Sequence, residues 1–193
     1  MYQIALISSS VRTGRNSHRV ALFLSHYLEE KKLARVDLID LAAYNFPVFE
    51  ERLKYMKEPP AGAVEFAERI TKAEGVIVVT PEYNGGYPAA LKNAVDLLYP
   101  EWKRKPVALA TVSSGAFGGS QVGTSLSFSF LKIGALVTPA VFRVPTVQNN
   151  YDENGMATDK EASERRAKTF LDEFFWLVEA KRRMEDKNNS SST

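Results

Sequence analysis

Serine, arginine and glycine are concentrated near the start of the chain, in the stretch SSSVRTGRNSHR at 8–19. Hydroxyl groups and backbone amides donate hydrogen bonds to phosphate oxygens, and arginine adds a charged, forked donor. A helical pattern begins at residue 17, and a helix N-terminus offers free N–H groups and a partial positive charge. The stretch therefore predicts a phosphate site, although it also fits a polar loop in which Asn16 or Ser17 caps the helix. The predicted ligands are Ser10, Arg12 and Ser17, with Ser9, Arg15 and Asn16 as further candidates.

A second polar stretch, TPEYNGGYP at 80–88, separates the apolar run GVIVV from the helix-like run AALKNAVDLL. Tyr83 can pack on a flat ring, Asn84 offers both a donor and an acceptor, and two glycines permit close backbone approach. Backbone N–H groups of 82–86 and 114–119 are expected to face the polar edge of such a ring. Taken singly, Asn-Gly-Gly is also ordinary turn chemistry, and Glu82 equally suits capping of the following helix or pairing with a lysine.

A third polar stretch, SSGAFGGSQ at 113–121, follows another apolar run and suits either ligand contact or a helix start at Gly119 or Ser120. It lacks the last glycine of a G-x-S-x-G nucleophile elbow, and the chain has only two histidines, so a Ser-His-Asp hydrolase is disfavoured. The chain contains no cysteine, which excludes disulfides, thiolate catalysis and cysteine metal sites.

The elements that must position these stretches alternate strictly between strand and helix. Runs as apolar as VIVV at 76–79 are typical of parallel strands covered by helices on both faces. The pattern predicts a doubly wound parallel sheet of five strands, of either the flavodoxin-like or the Rossmann-like type. Strands are predicted at 3–8, 35–39, 76–79, 106–113 and 135–142, and helices at 17–32, 60–73, 88–99, 119–133 and from 158 onward.

The chain is predicted to form one domain over 1–185, followed by a polar tail at 186–193 that is expected to be disordered. The last helix is expected to begin with a capping box at Thr158-Asp-Lys-Glu161. Among the loop aromatics, Trp102 and Phe117 suit either an interface between subunits or the core.

Ligands of doubly wound sheets bind beyond the carboxyl ends of the strands, where all three polar stretches are predicted to lie. The dinucleotide fingerprint G-x-G-x-x-G and the P-loop pattern are both absent from the sequence. A monophosphate held by hydroxyls and amides fits better, and FMN is the candidate that this type of sheet binds.

The stretch TPEYNGGYPAALKNAVD resembles the signature of the NADPH-dependent FMN reductases, a flavodoxin-like family that includes quinone, chromate and azo-dye reductases. SSSVRTGR at 8–15, FPVF at 46–49, YPEW at 99–102 and SSGAFGGSQ at 113–121 follow in the family's order. One departure is Ser9, which stands where the family often has glycine.

The resemblance implies a flavodoxin-like three-layer α/β/α sandwich, and the strand order expected for its five-stranded parallel sheet is 2-1-3-4-5. It also implies contacts with the flavin and an oligomer with the flavin near the subunit interface, either a homodimer or a homotetramer. Pro81, Glu82, Tyr83 and Asn84 would line the flavin ring, and Ser114 and Gly115 would approach its other edge. With the phosphate ligands, the predicted FMN-binding residues are Ser9, Ser10, Arg12, Ser17, Pro81, Glu82, Tyr83, Asn84, Ser114 and Gly115.

The predicted function is that of an FMN-dependent oxidoreductase that takes a hydride from NADPH or NADH and reduces a small acceptor such as a quinone, azo compound, chromate or flavin. The cofactor carries this chemistry, so no catalytic acid or base is predicted. The net charge of +2 gives no support to a nucleic-acid partner, and neither a membrane partner nor a metal site is expected. A cytoplasmic location is the default expectation. One alternative is a flavodoxin-type electron carrier, although such carriers are usually strongly acidic. Another is a binding or regulatory module that uses FMN structurally or binds no flavin.

Overall fold

The computed structural model of the chain describes the backbone of residues 1–190 and the side chains of residues 1–187. All strands of its sheet are parallel, and they lie in the order β2-β1-β3-β4-β5, which confirms the predicted fold. The strands are β1 (Tyr2–Ser8), β2 (Ala34–Asp40), β3 (Gly75–Pro81), β4 (Pro106–Val112) and β5 (Leu136–Val144).

Helices cover both faces of the sheet and give it two separate cores. One core joins α1 and α6 to the face of the sheet that carries Leu6 and Val79, and the other joins α2, α3 and α4 to the face that carries Ile7 and Val78. Every residue of β3 and β4 is buried, as their uniformly apolar sequences require. The helices are α1 (Ser17–Glu30), α2 (Ala61–Lys72), α3 (Ala89–Leu97), α4 (Ser120–Lys132), α5 (Val147–Asn150) and α6 (Lys160–Ser190), with short 3₁₀ turns at Leu41–Ala43, Leu53–Tyr55 and Pro100–Trp102.

Gly75 is the first residue of β3 and lies directly beneath α6. A Cβ atom at this position would lie 2.6 Å from the ring of Phe174 and 2.8 Å from a methyl group of Val178. The missing side chain lets α6 pack closely against the start of the central strand.

The side chain of Lys105 closes the C-terminal end of α2. Its ammonium group donates hydrogen bonds to the carbonyls of Ile70 at 2.8 Å and Thr71 at 3.3 Å, and also to that of Ala73. Burial, reinforced by the nearby charge of Lys181, lowers the pKa of Lys105 to about 8. These bonds satisfy the last carbonyls of the helix, which have no partner within the helix itself.

The start of the last helix differs from the expectation. Asp159 accepts the N–H of Ala162 at 2.9 Å, whereas the hydroxyl of Thr158 donates to the carbonyl of Asn149 at 3.0 Å. The capping box predicted at Thr158 is therefore wrong, because this side chain is already bound to the preceding segment. At the other end, α6 continues to Ser190, through the first part of the predicted polar tail, and residues 191–193 lie outside the described residues.

Candidate functional site

The loops after β1, β3 and β4 meet at the carboxyl edge of the sheet and enclose a cavity of about 260 Å³. Seven of the ten predicted site residues line it, namely Arg12, Ser17, Pro81, Glu82, Tyr83, Ser114 and Gly115. The remaining lining residues are Gly14, Arg15, Asn16, Val112, Ser113 and Val147.

The N-terminus of α1 opens into this cavity without a side-chain cap. Asn16 occupies the N-cap position with helical backbone angles, and its side chain makes no capping hydrogen bond. The buried hydroxyls of Ser9 and Ser17 have no hydrogen-bond partner within the described part of the chain. Buried polar atoms are normally paired, so the hydroxyl of Ser17, which lines the cavity, fits an anionic ligand that would bond to it. Ser9 is fully buried and, unlike Ser17, does not line the cavity.

The two arginines of the first loop have different surroundings. Arg12 is exposed, lines the cavity and forms no ion pair with any described residue, so its guanidinium is available to a ligand. Arg15 instead forms a bidentate ion pair with Asp40, at the end of β2, and donates to the carbonyl of Ser10 at 2.7 Å. Burial alone would raise the pKa of Asp40, but Arg15 and the N–H of Ala42 hold that pKa below its usual value.

Ser10 and Tyr83 connect the first loop to the second. Ser10 is fully buried, and its hydroxyl is hydrogen-bonded to the phenol oxygen of Tyr83 at 2.8 Å. Ser10 therefore lies behind the cavity wall and holds the aromatic ring that lines it.

Residues 83–86 form a tight two-residue turn. Tyr83 and Gly86 exchange backbone hydrogen bonds of 2.8 and 3.0 Å, and Asn84 and Gly85 both have positive φ angles, 52° and 80°. The turn chemistry noted in the sequence is thus what this segment uses. It leaves Asn84 exposed, and its side chain is not brought to the cavity.

Several backbone donors expected to face a ligand are already bound within the protein. The N–H of Glu82 donates to the carbonyl of Val112 at 3.2 Å, and those of Tyr83 and Gly86 close the turn. Among the described residues, no acceptor is found for the N–H groups of Ser114 and Gly115, which line the cavity. The free backbone donors are therefore on the third loop more than on the second.

Glu82 caps the N-terminus of α4. Its carboxylate accepts the N–H groups of Gln121 at 2.9 Å and Val122 at 3.0 Å, while the N-cap residue Gly119 contributes no side chain. From the sequence, Glu82 was expected to cap the following helix, α3, or to pair with a lysine. Its carboxylate instead reaches α4, which lies farther along the chain. Glu82 thus ties the second loop to the end of the third.

The third loop is fixed from below by Thr111, whose hydroxyl donates to the carbonyl of Gly118 at 2.6 Å. Gly119 has a φ angle of 74°, and an added Cβ would lie 3.0 Å from the Cβ of Thr111, so this position requires glycine. Val147, which also lines the cavity, belongs to the four-residue α5, and no sequence pattern predicted that helix.

His18 lies near the cavity but is not a candidate nucleophile activator. Its Nδ1 atom is 2.9 Å from the hydroxyl of Ser8, which is completely buried and therefore closed to a substrate. Burial, followed by the positive charge of Arg15, lowers the pKa of His18, with Asp40 acting in the opposite direction. His18 is thus predominantly neutral near pH 7 and adds little positive charge to the site.

Within residues 1–187, no three His, Asp or Glu side chains come together in a way that could hold a metal ion. No helix among the described residues has the length and apolar character needed to cross a membrane.

Comparison with known proteins identifies related sequences across most of the chain. The family described as NADPH-dependent FMN reductase matches residues 2–149. An NAD(P)H-dependent FMN reductase of Schizosaccharomyces pombe is 43% identical over 153 residues, which is 74% of this chain and 74% of that protein. A quinone reductase of Pseudomonas putida is 31% identical over 168 residues, or 83% of this chain and 87% of that protein.

A solved structure shares the fold. The flavoenzyme FerB of Paracoccus denitrificans, an NAD(P)H:acceptor oxidoreductase, superimposes with a TM-score of 0.76 over 93% of this chain and 98% of its own. Its sequence identity is 23%, so this likeness concerns the architecture alone.

Proposed function

The chain belongs to the NADPH-dependent FMN reductase family and is an FMN-dependent NAD(P)H oxidoreductase. We propose that it holds FMN in the cavity at the carboxyl edge of the sheet and reduces a quinone or another small acceptor there. The observation that carries this assignment is the uncapped N-terminus of α1, which opens beside the unpaired hydroxyl of Ser17 into the cavity that Tyr83 lines.

The phosphate end of the ligand lies at the first loop in this proposal. The hydroxyl of Ser17 and the first N–H groups of α1 donate to phosphate oxygens, and Arg12 supplies the opposite charge. A phosphate monoester fits because the site offers neutral donors and the guanidinium of Arg12, unpaired among the described residues, in place of the glycine-rich loop that dinucleotides require.

The ring end lies between the second and third loops. Tyr83, held by Ser10, and the apolar surface of Pro81 and Val112 suit the face or edge of a planar ring, while the N–H groups of Ser114 and Gly115 suit carbonyl oxygens on its rim. Bound FMN supplies the redox chemistry, accepting a hydride from NAD(P)H and delivering reducing equivalents to the acceptor. The carboxylate of Glu82 serves the fold by capping α4, so we assign it no role in proton transfer.

A single bound FMN would serve NAD(P)H and the acceptor in turn, which predicts ping-pong kinetics. We place the protein in the cytoplasm and assign it a homodimer or a homotetramer. Phe128 and Leu131 on α4 and Phe117 on the third loop support the oligomer, because these apolar residues are 64%, 59% and 83% exposed. Trp102, in contrast, is completely buried and belongs to the core. Light scattering on the purified protein measures its mass in solution and so distinguishes a dimer from a tetramer.

The test is an absorbance titration of the purified protein. The protein should take up FMN, lose the yellow absorbance of the oxidised flavin when NADPH is added without oxygen, and recover it when a benzoquinone follows. An electron carrier would bind FMN but support no steady-state oxidation of NADPH with a quinone. A protein that stays colourless in excess FMN would contradict the proposed site, and a parallel titration with NADH establishes the preferred nucleotide.

A further inference from the structure

Arg15 lines the cofactor cavity, yet three of the five N–H donors of its guanidinium are already bound within the protein. Both of its terminal nitrogens bind Asp40, and one of them also donates to the carbonyl of Ser10 at 2.7 Å. Its side chain is only 18% exposed. A guanidinium held in this way cannot turn toward a phosphate without breaking a bidentate ion pair, whereas Arg12 has no such partner among the described residues.

Ser10 carries the effect of Arg15 to the ring end of the cavity. Arg15 holds the carbonyl of Ser10, and the hydroxyl of the same residue holds the phenol of Tyr83 at 2.8 Å. Ser10 is completely buried, so it has little freedom to compensate if one of these bonds is lost.

The sheet places Asp40 where this arrangement needs it. The parallel register of β1 and β2 pairs Ser8 with Asp40, so Asp40 lies beside the residue from which the first loop departs. The N–H of Ala42 donates to Asp40 at 3.0 Å and fixes the carboxylate at the end of β2.

We propose that Arg15 is a positioning residue for the cofactor site: anchored by Asp40, it sets the backbone of Ser10 and thereby the ring of Tyr83, and it does not contact the phosphate. The proposal rests on the proposed function, since it concerns the same cavity. It divides the two arginines of the loop into one that binds ligand and one that shapes the wall.

The experiment compares R15K with R12K, two variants that keep the net charge of the protein unchanged. Lysine preserves a charge for a phosphate but cannot reproduce the planar fork that joins Asp40 to Ser10. The FMN dissociation constant should therefore rise about tenfold in R15K and less than about threefold in R12K. Titration of FMN into the apoprotein, followed by the change in flavin fluorescence, measures both dissociation constants. An effect of R12K equal to or larger than that of R15K would overturn the proposal.

Riboflavin, which lacks the phosphate, provides a second readout. Arg12→Met should leave riboflavin affinity unchanged while weakening FMN binding, whereas R15K should weaken the binding of both ligands. If R15K weakened only FMN, Arg15 would be acting on the phosphate and the proposal would fail.

A double-mutant cycle tests the connection through Tyr83. If Arg15 acts through Ser10 and Tyr83, adding Tyr83→Phe to R15K should cost less than half of what Tyr83→Phe costs in the wild type, expressed as the logarithm of the fold-change in affinity. Independent, additive effects would contradict the proposal, because a merely structural role of Arg15 would not alter the cost at Tyr83.

Melting temperatures of the apoproteins verify that the variants are folded. If R15K does not fold, Asp40→Asn takes its place, since it frees Arg15 from its anchor and should show the same riboflavin loss and the same reduced cost of Tyr83→Phe. A wild-type protein that binds no flavin at all would refute the proposed function, whereas equal behaviour of R12K and R15K in a flavin-binding protein would refute only this inference.

Discussion

Two helices begin at the same edge of the sheet, but their N-termini differ because a carboxylate caps α4 and no side chain caps α1. At α4, the carboxylate of Glu82 accepts the N–H groups of Gln121 and Val122, so the protein fills this anion site with its own side chain. At α1, Asn16 makes no capping hydrogen bond, and the hydroxyls of Ser9 and Ser17 have no partner among the described residues. Both termini carry the partial positive charge of a helix dipole, but only α1 leaves it available to a ligand.

A carboxylate also lies near α1, but it is neutralised before it can act as a cap. Asp40 ends β2 beside the first loop, and Arg15 binds both of its oxygens. Without this pairing, a free negative charge near the loop would repel a phosphate. At this edge, the N-terminus suited to an anion is therefore the one that no carboxylate of the protein caps.

The largest expected effect comes from giving α1 a cap like that of α4. Asn16→Asp changes only one atom of the side chain, and aspartate is a favourable N-cap residue. We expect the FMN dissociation constant to rise about 100-fold, since a carboxylate would repel the phosphate at its binding position, while the apoprotein becomes no less stable. Fluorescence titration and thermal unfolding measure the two effects.

The matched control is Asn16→Ser, which adds a neutral capping residue and no charge. It should weaken FMN binding far less than Asn16→Asp does. Equal FMN affinity in Asn16→Asp and the wild type would show that the phosphate does not bind at α1.

The second prediction removes the cap of α4. Glu82→Gln keeps the shape of the side chain but loses the charge at the helix N-terminus, so the free energy of unfolding should fall by about 1 kcal/mol. Urea denaturation measures this change. Glu82→Asp, whose side chain is too short to keep both bonds, should also lower the free energy of unfolding. The FMN affinity should change less than it does in Asn16→Asp. A stability equal to the wild type would mean that Glu82 is not an effective cap.

The sheet and the position of its ligand edge were predictable from the sequence because they depend on local patterns. Apolar runs such as 76–79 indicate a strand buried on both faces, and the strict alternation with helices indicates a parallel sheet. Once the order 2-1-3-4-5 was inferred, the polar loops had to meet at one edge, which is where the structure places them.

The partners of individual side chains were not predictable, because they depend on which strands are neighbours and in what register. Glu82 reaches α4 because β3 and β4 are adjacent and pair Pro81 with Val112. Arg15 reaches Asp40 because β1 and β2 are paired, although the two residues are far apart in sequence. Asn84 was assigned to the ligand from its chemistry, whereas the turn it forms with Gly85 leaves its side chain exposed.

The smallest expected effect concerns the pH dependence of the pair at α1. The pKa of Asp40 is lower in the folded protein than the value of about 4 that aspartate has in an unfolded chain, because Arg15 and the N–H of Ala42 outweigh the effect of burial. A lowered pKa means that the stabilisation is fully present above about pH 4 and is lost as the pH falls through the folded-state pKa. Asp40→Asn cannot lose this contribution, so the difference in unfolding free energy between the wild type and the variant should shrink as the pH is lowered from 7 to 3. Urea denaturation at a series of pH values measures this difference. If the difference stayed constant, the carboxylate of Asp40 would not be stabilised by Arg15, and the contrast between a neutralised carboxylate at α1 and a capping carboxylate at α4 would no longer hold.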